Sequence, residues 1–221
     1  MSALPDSSDV PVEIRKLADQ PRVLVRRDGA PRAGAGCVVY WMQRSMRIVE
    51  NSALDVAIEA GNLLGLPVVV FFSVIPNYPN ANLRHYHFMA QGLRDVAEDA
   101  AERGVGFVLR RHPDNSLEAF LEEVEAALLV GDENPCREPE RWRTVMAKRL
   151  KLPYWTVDAD VVVPSRIFGR TYFLLHHLRP HLKKELPKYL VPTRQQRLHL
   201  YHNKIYRSRI AIISISIRLI P

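Results

Sequence analysis

The 221 residues are 47% hydrophobic and 25% charged with only 10 glycines, which excludes a disordered or fibrous chain and leaves room for one well-buried core rather than two large domains. Two cysteines, Cys37 and Cys136, exclude a disulfide framework or a cysteine zinc site. Of the net charge of +7, six come from residues 193–221, which hold six Arg and Lys and no acid, so the preceding 192 residues carry only +1 and their charge gives no argument for gripping nucleic acid.

Residues 1–35 read as an N-terminal extension. They lack the basic start followed by an apolar stretch that marks a secretory signal. The longest apolar run, around Leu66 to Ile75, is too short to span a membrane, and a cytoplasmic, reducing location is expected.

From Gly36 the chain alternates. Val38 to Met42 is a short apolar run of the kind expected for a strand covered on both faces. A helix follows, with Ser52 as the expected cap and Asp55 reaching back toward it, and Gly65 and Pro67 stop it. Val68 to Ser73 is a second buried strand, followed by a proline-containing loop and a long helix from Leu83 to Arg103. Gly106 to Arg110 and Ala126 to Val130 read as strands, with a helix from Ser116 to Glu125 between them. A helix opening on Pro139 then leads to a fifth strand, Tyr154 to Val157. A last helix is expected from Thr171 to Glu185, disturbed by Pro180. Strands alternating with helices at this spacing predict an α/β fold over 36–192: a Rossmann-like, open, parallel five-stranded sheet with helices on both faces.

The pattern stops at Thr193. The tail alternates Ile213, Ile215, Ile217 and Leu219 with Ser and Arg, which fits either an aberrant terminus, such as a frameshift product, or a genuine strand or basic arm.

In open parallel sheets ligands bind beyond the carboxyl ends of the strands. The first such end, Trp41 to Arg47, has no glycine, which argues against a dinucleotide site of the usual kind. Gly104 and Gly106 stop a helix rather than open one. His85 and His87 point to different sides of a helix, and Pro180 lies between His177 and His181, so solvated or hydrogen-bonded histidines are the better reading than a metal site. Asp158 and Asp160 at the end of the fifth strand are expected to cap and turn the connection, the other reading being a general base. No catalytic residue emerges.

The run from Val38 to Arg47 with its Tyr-Trp-Met-x-Arg-x-x-Arg element, followed by Asn51 to Leu54, resembles the start of class II DNA photolyases. Arg84 to Met89 with Gly92 and Leu93, Pro139 to Arg149 with Trp142, and Val157 to Pro164 resemble the same family, as does the basic lead-in from Arg22 to Arg32, while Leu128 to Arg137 matches only loosely. The resemblance implies the N-terminal light-harvesting domain of an enzyme that splits cyclobutane pyrimidine dimers in UV-damaged DNA. In that family FAD and the flipped-out dimer are held by a helical domain that follows, expected to be absent from this chain. It also implies a possible antenna chromophore of deazaflavin or folate type. Trp41, Met42, Gln43, Arg44, Phe72, Ser73 and Val74, at adjacent strand ends, are the candidate cofactor-binding residues. The equal alternative is that Trp41 and Phe72 pack under helices and Arg44 meets the partner domain. A free-standing chromophore- or nucleotide-binding module and a basic-tailed nucleic-acid accessory protein stand beside that reading.

Overall fold

A computed structural model describes residues 10–32, 34–169, 171–192 and 196–199. The N-terminal segment contributes α1 (Val12–Ala18) and β1 (Val23–Arg27), and the alternation follows as β2 (Cys37–Trp41), α2 (Ser52–Leu64), β3 (Val68–Val74), α3 (Leu83–Glu102) and β4 (Gly106–Arg111). Next come α4 (Leu117–Glu123), β5 (Ala126–Asp132), α5 (Arg137–Arg149), β6 (Tyr154–Val157) and α6 (Leu175–Tyr189).

The sheet has six strands rather than five, in the order β1-β6-β5-β2-β3-β4. β2 to β6 are parallel as expected; the additional strand, β1, pairs antiparallel with β6 and lies in the stretch read as an extension. Ile14 and Leu17 of α1 are fully buried in the same core, so α1 and β1 belong to this α/β unit. No helix among the described residues is long and apolar enough to cross a membrane.

Strand residues alternate between the two faces with period two. Val38, Tyr40 and Met42 point to the side covered by α1, α2 and α3, together with Val68, Val70 and Phe72. Val39, Trp41, Val69 and Phe71 point to the side of α4, where the ring of Phe120 stacks on Phe71 at 4.3 Å. Burial on both faces explains the nearly continuous apolar runs in β2, β3 and β5. Gly36 crosses so close to the turn after α4 that a β-carbon there would lie 2.4 Å from the Val124 carbonyl oxygen.

Several helix ends differ from expectation. Asn51, not Ser52, caps α2, accepting from the N–H groups of Ala53 and Leu54, and Asp55 pairs with Arg103 instead of reaching back. Helix α5 begins two residues before Pro139, which still falls in the first turn, where a proline costs no hydrogen bond. Helix α6 continues through Pro180 and Pro187 without a buried residue, so water can satisfy the carbonyls the prolines leave free. Residues 200–221, including the alternating isoleucines, lie outside the described residues.

Candidate functional site

The strand order reverses between β2 and β5, because the chain goes from β2 out to β3 and β4 and then returns to place β5 on the other side of β2. Loops leaving these two strands diverge there and open a crevice. Its floor is built around Asp132, the last residue of β5 and 1% exposed. The Oδ2 atom of Asp132 accepts from the backbone N–H groups of Gln43, Arg44 and Ser45 at 2.9, 2.6 and 2.9 Å. Its Oδ1 atom accepts from the Tyr40 hydroxyl at 2.7 Å.

Three successive N–H groups converging on one point make an anion-binding concavity. Here the anion is part of the chain, so the place where a nucleotide phosphate would sit is already filled by a carboxylate. Burial, reinforced by the Asp132 charge, pushes the Tyr40 phenol well above its ordinary range, so it remains a donor. Fully buried Asn51 completes the loop by donating to Tyr40 Oη, the Ser45 carbonyl and the Arg47 carbonyl while it caps α2.

Above this floor lies a cleft of about 350 Å³. Trp41, Met42, Gln43 and Met46 line it from the end of β2, and Phe72 and Ser73 from the end of β3. Tyr86 and Met89 of α3 form one wall, and Asn134, Pro139 and Trp142 the wall opposite. Tyr78, in the loop after β3, meets Trp142 edge to face at 6.1 Å and brings the two walls together. The loop is pinned by Tyr86, whose hydroxyl donates to the Ile75 carbonyl and accepts from the Tyr78 N–H, both at 2.9 Å. His85, also on the lining, has its Nδ1 engaged by the Asn82 N–H in the capping box of α3.

Five of the seven sequence candidates, Trp41, Met42, Gln43, Phe72 and Ser73, therefore share this cleft. Arg44 turns away to pair with Asp160, which also accepts from Ser45 Oγ at 2.8 Å and lies 3.7 Å from Arg47. Val74 is outside the lining, and its carbonyl accepts from Asn115 Nδ2. Trp41 and Phe72, 9% and 6% exposed, also pack in the core, so they serve both as structural residues and as cleft walls. Asp158 turns its connection by accepting the Ser165 N–H, whereas Asp160 ties the β6 loop to the β2 loop.

Asp132, Tyr78 and Trp142 were not singled out as site residues. Asp132 stands at the end of an apolar strand run, where one acid reads as a boundary. Tyr78 lies in a loop whose path the sequence leaves open. A second cluster beside the crevice consists of Arg143, 0% exposed, with Glu133, Glu140 and Arg26: Arg143 Nη2 lies 2.5 Å from Glu140, and Arg26 binds Glu133 and Glu140 at 2.6 and 2.7 Å. Although burial pushes the Glu140 carboxyl up, hydrogen bonds from Arg26 and Arg143 draw it below its ordinary value.

Gln43 Oε1 is buried and has no hydrogen-bond partner among the described residues. The lining is mostly aromatic and apolar, with Ser73, His85 and Asn134 as further polar groups beside Gln43, which suits a planar conjugated ring with polar edges.

Residues 38–189 match the family model for DNA photolyase. The chain is 35% identical over 165 residues to a deoxyribodipyrimidine photo-lyase of Methanothermobacter thermautotrophicus, covering 74% of this chain and 37% of the relative. It is 32% identical over 160 residues to a deoxyribodipyrimidine photo-lyase of Arabidopsis thaliana, covering 71% and 32%. The chain thus spans about a third of the length of the curated relatives it matches. Among solved structures, a universal stress protein from Archaeoglobus fulgidus is similar, with a TM-score of 0.40 and 14% identity over 56% of this chain and 95% of that one.

Proposed function

This chain belongs to the DNA photolyase family, and on that premise we propose that its α/β unit is the light-harvesting part of a deoxyribodipyrimidine photo-lyase, with the 350 Å³ cleft as the seat of an antenna chromophore. The observation that carries the reading is the cleft itself. It lies over the topological switch point, it has aromatic side chains on both walls, and its volume falls within the ~300–1,000 Å³ of small-molecule sites. When bound, a deazaflavin or folate chromophore absorbs light and passes the excitation to the flavin of the enzyme.

The side chains divide the work of holding such a ring. Trp142 and Tyr78 supply flat apolar surface on one side, Met42, Phe72 and Met89 close the other, and the unpartnered Gln43 Oε1 offers one buried acceptor to a donor on the ring edge. Excluding water from these walls is what the crossed Tyr78 and Trp142 rings contribute. The internal carboxylate at the loop of 43–45 favours a planar, uncharged group over a phosphate and so speaks against the nucleotide-binding alternative.

FAD and the pyrimidine dimer belong, by the same family reading, to the helical part that relatives carry beyond the matched region. No catalytic residue is assigned within 36–192. A cytoplasmic location is part of the same proposal.

The test is titration of the purified chain with a 5-deazaflavin and, separately, with a folate, read by chromophore absorbance and by quenching of tryptophan fluorescence. Binding of one of them, weakened about tenfold by Trp142→Ala, is the expected result, in line with the loss of one aromatic contact. Absence of binding by either chromophore, or equal binding by Trp142→Ala, overturns the assignment of the cleft.

A further inference from the structure

A second feature, independent of the chromophore reading, lies against α2 and the C-terminal end of α3. Residues 196–199 sit there, and among the described residues the hydrogen bonds that hold them are made by their own backbone. The Gln196 N–H donates to Asp55 Oδ1 at 3.0 Å, and the Gln196 carbonyl accepts from Arg103 Nη2 at 2.7 Å. Seven residues along α2, Asn62 engages the next stretch twice: its Nδ2 donates to the Arg197 carbonyl and its Oδ1 accepts from the His199 N–H, both at 2.8 Å. An asparagine amide used in this way imitates the edge of a neighbouring strand.

The spacing suits a segment of chain that passes over both side chains. Asp55 and Asn62 lie on one face of the helix, two turns and about 10.5 Å apart along its axis. Three residues, from the Gln196 N–H to the His199 N–H, can span up to about 10 Å, so one segment reaches both side chains; it departs from a regular strand, whose N–H groups at 196 and 199 would point to opposite sides, and bends at His199. One side chain is also received: Leu198 packs against the core, its Cδ1 3.7 Å from where a β-carbon on Gly61 would stand. Arg103 is held in place for its part by Asp55 and by the Ile48 carbonyl at 2.6 Å. An open furrow of about 540 Å³ between Ile48 and Glu102 runs alongside, so the segment lies on the surface rather than threading the core.

We propose that Asp55, Asn62 and Arg103 form a main-chain clamp, occupied by residues 196–199 of this chain, with an apolar residue required only at position 198. The clamp fixes where the chain leaves the α/β unit after α6. Since it reads backbone groups, it tolerates changes of sequence at 196, 197 and 199.

Residue-resolved hydrogen exchange on the full chain tests the proposal. The Gln196 and His199 amides should be protected. Asn62→Ala should speed exchange at His199 about tenfold, the loss expected for one removed hydrogen-bonding pair, while the amides of β2 stay protected and show that the fold is intact. Asn62→Asp keeps the acceptor for the His199 N–H but sets a carboxylate oxygen against the Arg197 carbonyl, so protection at His199 should fall between that of the unaltered chain and that of Asn62→Ala. Arg197→Ala should leave both amides protected, and Leu198→Asp should release both. Gln196 and His199 amides exchanging at the rate of an unstructured peptide in the unaltered chain would overturn the clamp. So would Asn62→Ala without effect, or Arg197→Ala as disruptive as Asn62→Ala.

Discussion

Replacing Asp132 with alanine removes the acceptor of three backbone N–H groups and one hydroxyl at a site that is 1% exposed. Hydrogen bonds to a charged group contribute about 1.5–3 kcal/mol each, and a buried donor left unpaired costs about 1–3 kcal/mol. Losses within one cluster are not additive, and the Gln43 and Arg44 loop lies near enough to the surface for water to replace part of what is lost, so a total of about 3–6 kcal/mol is expected. That is a large share of the ~5–15 kcal/mol that keeps a domain folded. Asp132→Asn is the milder change. Its carbonyl can still face the three N–H groups, its amide can donate to Tyr40 Oη, and the Tyr40 hydroxyl can turn to the Ser45 carbonyl, 3.5 Å away. About 1–3 kcal/mol, the difference between charged and neutral acceptors, is expected there. Urea unfolding followed by circular dichroism measures both, and a double-mutant cycle with Tyr40→Phe should return a coupling well above about 0.5 kcal/mol. A loss below about 1 kcal/mol for Asp132→Ala would refute the reasoning that this carboxylate organises the loop.

Arg143→Ala should cost about 3 kcal/mol by the same urea assay, because Glu133 and Glu140 lose a fully buried cation and keep Arg26 as their cationic partner among the described residues; a cost under about 1 kcal/mol would show that the cluster is not stabilising. Gly36→Ala should destabilise by about 1–3 kcal/mol, since its β-carbon meets a backbone oxygen that cannot swing aside, and an unchanged urea midpoint would contradict the close approach. Burial pushes the Cys37 thiol up to about 12 and raises the Tyr40 and Tyr154 phenols, so all three stay protonated in the folded state after they would ionise in the unfolded one. The stability linked to them is complete below about pH 9 and is lost as pH rises toward 12, by up to about 1.4 kcal/mol per pH unit for each group. Urea midpoints at pH 8 and pH 10.5 should show the fall, and Cys37→Ala should flatten it between pH 9 and 12; equal midpoints would remove the argument.

The strands and most helices were legible because their signals are local. Continuous apolar runs at Val38, Val68 and Ala126 announce strands buried on both faces, and Gly65, with φ of 65°, marks the end of α2 where only a residue tolerant of the left-handed region fits. β1 was not legible, because Val23–Arg27 is a short edge strand in which Leu24 and Val25 are exposed while the two arginines are partly buried, so no alternation of apolar-in and polar-out can be read, and its partner β6 lies more than a hundred residues away. The N-cap of α2 passed from Ser52 to Asn51 because Asn51 had a second task, holding the Ser45 and Arg47 carbonyls, that only the folded loop creates.

By itself, the sequence determined the α/β alternation, the strand ends from which the cleft is built, and the resemblance that led to the photolyase family. Tertiary structure decided which residues meet at those ends. Asp132 reaches the 43–45 loop only because β5 returns to lie beside β2, and Tyr78 faces Trp142 only because the loop after β3 and helix α5, from two different crossovers, converge over the same crevice. Such contacts join residues some 60 to 90 positions apart, beyond the reach of any periodicity in the chain, so the filled anion nest and the walls of the cleft are products of strand order rather than of local pattern.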